Sequence, residues 1–445
     1  ALSHCWGTTS QFTTTKVTIY ERKENIFLAQ LTNTFREAVQ VARALKIRYL
    51  WIDSLCIVQD DHDDWAQEAS RMLTVYRNAL ITISATSSKS GNEGLFQRWS
   101  EFETRVIPGD EEAGTFIFSA EREHFGGQWG SHRQEYPLLS RAWALQERLL
   151  SPRILHFGRS ELHFECIEEF RCECSGTQDY SWTTFIKEPK IYLLSRILLR
   201  QAAGEIWQSI LRQHSSLQLT YPSDKLVALG GLAKQLAEPG DQYLAGLWKS
   251  RILENLQWEI ARHVDLHPRP KWRVPSWSWA SIEGSLSAVS AFARSSTPMR
   301  HELSAQLIDY KIVPKTNDEY GEIQSGTIQL LAHCSLVTWK ENPEKCRCGN
   351  THYYVVFPND QERDVITDAI DEITPMHTTQ AGPVETVCVL IYEHQSQRTS
   401  LVLRRLKSER YAFQRVGLTR DVGINGPLED VWRLFPRERR IVTIV

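Results

Sequence analysis

Tyr49-Leu50-Trp51-Ile52-Asp53-Ser54-Leu55-Cys56-Ile57-Val58-Gln59-Asp60-Asp61 is the stretch that decides how the first part of this chain folds. Its first half is apolar and β-prone, the composition of a strand buried in a parallel sheet. Asp53 interrupts it, and Gln59, Asp60 and Asp61 close it just before a helix start. A carboxylate at the exit of a buried strand costs stability unless it is paired, hydrogen-bonded or used. In open α/β sheets that exit is also where ligands bind. The stretch therefore predicts a strand over Tyr49–Ile57 and a site beside Asp53.

Upstream, Thr34 reads as a helix N-cap, followed by Phe35, Ala38, Val39, Ala42 and Leu45 at helical spacing. Downstream, Asp61 to Asp64 supply a cap and an acidic first turn for a helix burying Trp65, Ala69, Met72, Val75 and Tyr76. That helix leads into a second buried strand, Ala79–Ala85, and Leu2–Cys5 reads as a third. Helices alternating with strands over short connections imply a parallel sheet with right-handed crossovers. Residues 87–137 are polar and irregular and read as an insertion or a long loop. Helical spacing resumes at Leu138, Ala142, Leu145 and Leu149. A hairpin follows, Arg153–Phe157 and Glu161–Cys166 around Gly158-Arg159-Ser160. Residues 181–265 are mostly helical in pattern, and from about 301 the apolar residues alternate as in antiparallel strands. The expected architecture is an α/β domain over 1–180, a mainly helical region over 181–300 ending in a Trp-rich segment, and a β-rich domain over 301–445.

Composition narrows the function. The net charge of −3 over 445 residues carries no basic excess that would point to nucleic acid. No stretch approaches the roughly 18–20 uncharged apolar residues of a membrane span. Nine cysteines, odd in number and irregular in spacing, read as reduced intracellular thiols, which places the protein in the cytoplasm. The sequence opens at Ala1 without a methionine, so an upstream segment is expected.

Three ordered blocks carry a resemblance. Leu2-Ser3-His4-Cys5-Trp6-Gly7, Trp51 to Asp60, and Arg141-Ala142-Trp143-Ala144-Leu145-Gln146-Glu147 closely resemble the signature blocks of the fungal heterokaryon incompatibility (HET) domain. Met72 to Ala79 is similar to the family's helix before its next strand, and Pro275 to Ala280 to a segment found downstream in long members. His4 stands where the family usually has Tyr. The resemblance covers residues 1–166 strongly. It implies non-self recognition and programmed cell death in fungi, with protein partners. Some members occur beside biosynthetic enzymes. It also implies a fold comparable to the Toll/interleukin-1 receptor (TIR) domain, a flavodoxin-like parallel sheet that in some members cleaves NAD.

Each candidate residue has a functional and a structural reading. Asp53 can bind a ribose hydroxyl, orient a catalytic group or hold a cation at the strand exit, or else cap the following turn or pair with Arg141 or Arg148. Gln59 can read a ligand, or fix backbone. Arg141, Trp143, Gln146 and Glu147 share one helix, with Trp143 and Glu147 four apart. A glutamate beside an aromatic surface can have a raised pKa and act as acid or base. TIR-type NAD cleavage needs one such glutamate, which makes Glu147 the first catalytic candidate and Asp53 the second. The alternative is an Arg–Glu network that locks the helix to the sheet. Ser3 is a candidate ligand contact. His4 cannot serve as base to its neighbours, because adjacent strand residues face opposite ways. Cys5 and Cys56 read as small buried apolar groups.

Cys166, Cys172 and Cys174, and Cys346 and Cys348 with His352, each fall short of a four-ligand zinc set, so no metal is expected. Trp272, Trp277 and Trp279 read as core, or as a stack for a planar ligand. The function expected is a HET-domain protein of non-self recognition and cell-death signalling that binds or hydrolyses a nicotinamide nucleotide. The alternatives are a non-enzymatic interaction module, or a small-molecule enzyme of fungal secondary metabolism.

Overall fold

The computed structural model describes residues 1–7, 12–96, 105–107, 116–118, 136–159, 161–173, 203–261, 267–287, 305–342, 352–369, 385–394, 397–406, 411–422 and 431–445. The chain forms two compact units, residues 1–206 with 217–220, and residues 207–216 with 221–445.

The first unit is built on a five-stranded mixed sheet. Strands β1 (Leu2–Ser3), β2 (Thr82–Ser84) and β3 (Arg153–Phe157) run parallel. Strands β4 (Leu162–Cys166) and β5 (Phe170–Cys172) continue it antiparallel, as the expected hairpin and one further strand. Strand alternation gives the two faces opposite characters. Leu2, Ile83, Leu155 and Phe157 pack under helix α1 (Asn33–Ala44), against its Phe35, Ala38 and Val41. The other face carries Ser3, Ser84, His156 and His163 in cross-strand register.

Helix α2 (His62–Asn78) starts as its sequence predicts, with the Asp61 carboxylate accepting from the Asp63 and Asp64 amides. Helix α1 starts two residues before the position that a Thr34 cap requires. Thr34 is buried inside the helix instead, its hydroxyl donating to Ser90 O at 3.3 Å and accepting from the Gly94 amide at 3.2 Å.

The expected strand over Tyr49–Ile57 does not form. Only Ile52 bridges Leu2, in parallel, and Asp53–Cys56 is a single helical turn. Asp53 causes the break: its carboxylate accepts from the Ser54 amide at 2.7 Å, and the Leu55 and Cys56 amides turn back onto Ile52 O. The apolar tail remains core, with Ile57 and Val58 buried, whereas Tyr49 is exposed.

In the middle region the main described helices are Ala203–Ser215 and Val227–Leu236. The β-rich pattern expected beyond residue 301 is present, in β6 (Gln306–Pro314), β7 (Ile323–Asn342), β8 (His352–Val356), β10 (Thr386–His394), β11 (Gln397–Arg405) and β13 (Arg439–Ile444), and two strands that the alternation does not announce join them, β9 (Glu362–Thr367) and β12 (Ala412–Val422). Six of them close on themselves in the order β7-β8-β9-β12-β11-β10 and back to β7, every pair antiparallel. Closure removes sheet edges. Trp339, Tyr353, Val355, Val365, Cys388, Leu390, Val402 and Val416 form its core, together with Leu434 and Phe435. Gly417 permits the β9–β12 contact, since a Cβ there would lie 2.6 Å from Ile366 O.

The Trp-rich segment splits. Trp277 and Trp279 are fully buried together with Trp207 and Trp258, whereas Trp272 is 56% exposed. Trp258 Nε1 donates to Trp277 O and Trp279 Nε1 to Gly246 O.

Candidate functional site

Ser3, Asp53, Arg141 and Glu147 meet at the carboxyl end of β1. Glu147 comes from helix α3 (Ala142–Leu150), which covers the polar face of the sheet. The Ser3 hydroxyl donates to the Glu147 carboxylate. The Tyr76 hydroxyl, on α2, donates to Leu2 O at 3.3 Å and also reaches Glu147. On the opposite side of β1, the Trp6 indole N–H donates to Asp53 at 2.9 Å, and His4 Nδ1 lies 3.6 Å from the same carboxylate. His4 packs edge-on against Phe35, which places it on the apolar face, away from Ser3. Arg141 donates to His4 O and so ties the first turn of α3 to the strand end. Gly7 turns the chain away directly after Trp6. Its φ is +75° and a Cβ would lie 2.5 Å from Ser90 Cβ, so glycine is required there.

The electrostatics follow from this packing. Burial pushes the Glu147 carboxyl up to about 7, and the nearby Asp53 charge pushes the same way; Ser3, Arg141 and Tyr76 favour the ionised form. Burial also lowers the His4 pKa against the pull of Asp53, and raises the Cys5 thiol to about 11, so Cys5 is no nucleophile at neutral pH. A buried carboxyl that titrates near 7 can hold or release a proton under physiological conditions.

Gln59 is not turned toward this cluster. Its amide donates to Asp53 O at 3.2 Å and to Ile57 O at 3.0 Å, fixing the turn that holds Asp53. On α3, Gln146 is fully buried and Trp143 is half-buried. Arg148 does not pair with Asp53. It forms a two-pronged ion pair with Glu165 on β4, both contacts at 2.8 Å, and His156 Nε2 lies 3.0 Å from the same carboxylate. Thr86 links His156 at 3.1 Å to Ser84 at 2.9 Å. Sequence reasoning missed Trp6, Tyr76, His156 and Glu165 as participants. Trp6 lies inside the first signature block, and Tyr76 in the Met72 to Ala79 stretch that is similar to the family's helix. Glu161, His163 and Glu165 carry a period-2 polar pattern, which ordinarily marks a solvated face; here all three are buried.

The family model for the heterokaryon incompatibility protein (HET) matches residues 1–147. Over that third of the chain the sequence is similar to the heterokaryon incompatibility family. No curated protein and no solved structure matches the chain. The HET match ends at Glu147, so every block that supplies the Ser3–Asp53–Glu147 cluster lies within it, and the Arg148–Glu165–His156 network lies directly beyond.

Among the described residues no group of three or more His, Cys, Asp or Glu is arranged for a metal ion. Cys166 is a free thiol, and Cys174, Cys346 and Cys348 lie outside the described residues. Among the described residues no helix is long and apolar enough to cross a membrane.

Proposed function

We propose that this HET-domain protein acts in fungal non-self recognition and cell-death signalling in the cytoplasm, through protein partners, and that its N-terminal unit binds and hydrolyses a nicotinamide nucleotide. The reading treats the unit as a distant TIR-like relative. The observation that carries it is the convergence of two carboxylates, Glu147 and Asp53, at the carboxyl end of a parallel strand, one of them titrating near 7. Cleaving the bond between nicotinamide and ribose expels neutral nicotinamide and leaves a sugar cation that water captures. The products are ADP-ribose, nicotinamide and a proton. Glu147 stabilises the cation and Asp53 holds ribose hydroxyls; Ser3, Arg141, Trp143 and Gln146 frame the ligand. In this reading Gln59 supports the site by bonding Asp53 O and Ile57 O, which holds the turn that carries Asp53.

The test is nicotinamide release from NAD by the purified full chain, beside Glu147→Gln and Asp53→Ala. Loss of turnover by at least about 100-fold in Glu147→Gln is expected for a group that acts on the transition state. Wild-type protein without turnover in any assembly state, or turnover unaffected by both changes, overturns the enzymatic reading.

One observation favours a second reading, a non-enzymatic interaction module. Glu147 is only 7% exposed, and Ser3 and Tyr76 bond its carboxyl from inside the fold. On that reading NAD gives no heat of binding, and Glu147→Ala lowers the melting temperature without changing any ligand affinity.

A further inference from the structure

A small cavity lies between the Glu147 site and the Arg148–Glu165–His156 network. Its walls are Ser3, Thr82, Ser84, Arg148 and His156, closed by Leu138, Leu139, Ala144 and Ile154. It has room for a single water molecule. A buried water also needs two to four polar partners. Three hydroxyls face the space, and each has one donor and two acceptor positions. Ser3 donates to Glu147, Ser84 is bonded to Thr86 at 2.9 Å, and Thr82 to Ser151 at 2.7 Å. Each of those bonds leaves acceptor capacity directed by strand alternation toward the same face of the sheet.

We propose that this cavity is an internal water site, with the water bound by Ser3 and Ser84, that joins the Glu147 carboxyl to the polar network on β2–β4. Ser84 then becomes a positioning residue: it acts on Glu147 through the water and Ser3. The water donates to Ser3 Oγ, and a hydroxyl that accepts one hydrogen bond donates a stronger one. That strengthens the Ser3 bond to ionised Glu147 and opposes the rise that burial imposes. The groups facing Glu147 are Ser3 on β1, Asp53 on the turn after Ile52, Tyr76 on α2 and Arg141 at the start of α3. Those facing the cavity are Arg148 and His156, both held by Glu165. The proposal sets how firmly the acid of the proposed site holds its proton, and so rests on that reading for its catalytic meaning, but the water and the titration are measured without any nucleotide.

The experiment uses the full chain, wild type and Ser84→Val, which fills the space with methyls and removes the hydroxyl. A high-resolution crystal structure locates the water. Infrared titration of the carboxyl band, assigned by its loss in Glu147→Gln, gives the Glu147 midpoint. The expected result is an ordered water bonded to Ser3 and Ser84 in wild type, its loss in Ser84→Val, and a midpoint moved upward from about 7. A dry wild-type cavity overturns the proposal. So does an unmoved midpoint in a Ser84→Val protein with native near-ultraviolet circular dichroism. Should Ser84→Val not fold, Ser84→Ala decides: it keeps the space, and an unmoved midpoint there overturns the proposal equally. Absence of NAD turnover would leave both measurements standing.

Discussion

At the scale of a residue, Glu147 is a carboxyl that burial holds close to neutral. Its carboxyl lies between the Ser3 hydroxyl, Tyr76 and the field of Asp53, and titrates near 7 where a free glutamate titrates near 4.5. A raised carboxyl means that the folded state binds more protons than the unfolded chain between those two values. Stability therefore falls as pH rises from about 4.5 to about 7. The shift corresponds to roughly 3 kcal/mol of stability, present at pH 4 and lost by pH 8. Glu147→Gln keeps the shape and stays neutral at every pH. Thermal melts across this range should show a declining contribution in wild type that Glu147→Gln lacks, and the variant should match or exceed wild type at pH 8. Equal pH profiles would mean that Glu147 is not the buried acid described. The residue was legible in the sequence as a candidate because the third block and an aromatic neighbour pointed to it. Its partner Tyr76 was not, since a tyrosine at helical spacing reads as core, and Tyr76 is core with its hydroxyl turned to the strand end.

Among elements, the hairpin β3–β4 is where sequence pattern and burial part most clearly. The pattern predicted the strands correctly and gave no hint that the polar side is inside. Glu161, His163 and Glu165 alternate as on a solvated face, but α3 covers that face and presents Arg148 to it. The ion pair fixes how α3 sits, and consecutive helical residues point about 100° apart, so it also sets the direction of Glu147. Breaking a buried pair leaves an uncompensated charge, which costs roughly 3–5 kcal/mol, whereas replacing both partners with apolar groups is often neutral. Glu165→Ala should therefore destabilise the protein by about that amount, and Glu165→Leu combined with Arg148→Met should recover most of it in denaturant unfolding. A double variant no more stable than the single would show that the network, including His156, holds α3 through more than charge compensation. The opposite failure of pattern occurs at Tyr49–Ile57. There the apolar run predicts one strand, but the Asp53 carboxylate captures the Ser54 amide and turns the chain after a single bridge. Side chains of this type compete with ladder hydrogen bonds for the backbone. The same competition places Asp53 beside Trp6 and His4, so the error in the element left the site's location intact.

For the whole molecule, most β strands beyond residue 301 were legible as alternation, but closure of six of them was not. The strands β9 and β12, which complete the ring, escaped sequence reading. In β12 a charged side chain is fully buried, Arg415 packed against Trp258 while its neighbour Val416 joins the core of the ring, and Gly417 follows two residues later where β9 approaches. Neither residue type marks a core strand. Arg415 is tolerated because every direction of its guanidinium is met. Asp368 accepts from it at 3.0 Å, Leu256 O and Trp258 O at 2.6 Å, and the Trp258 ring lies 3.4 Å away. It thereby ties the buried tryptophans to the closed sheet, in the same unit. Arg415→Met removes the charge, leaves Asp368 buried beside Arg269 at 3.8 Å, and frees two carbonyls from their donor. The cost should be roughly 3–5 kcal/mol, on the order of 10 °C in melting temperature for a unit of this size. Two compact units predict two unfolding transitions. Calorimetry of Arg415→Met should lower only one of them, and Glu165→Ala should lower only the other. If both variants lower a single common transition, the two units unfold as one, and the Glu147 site draws its stability from the whole chain.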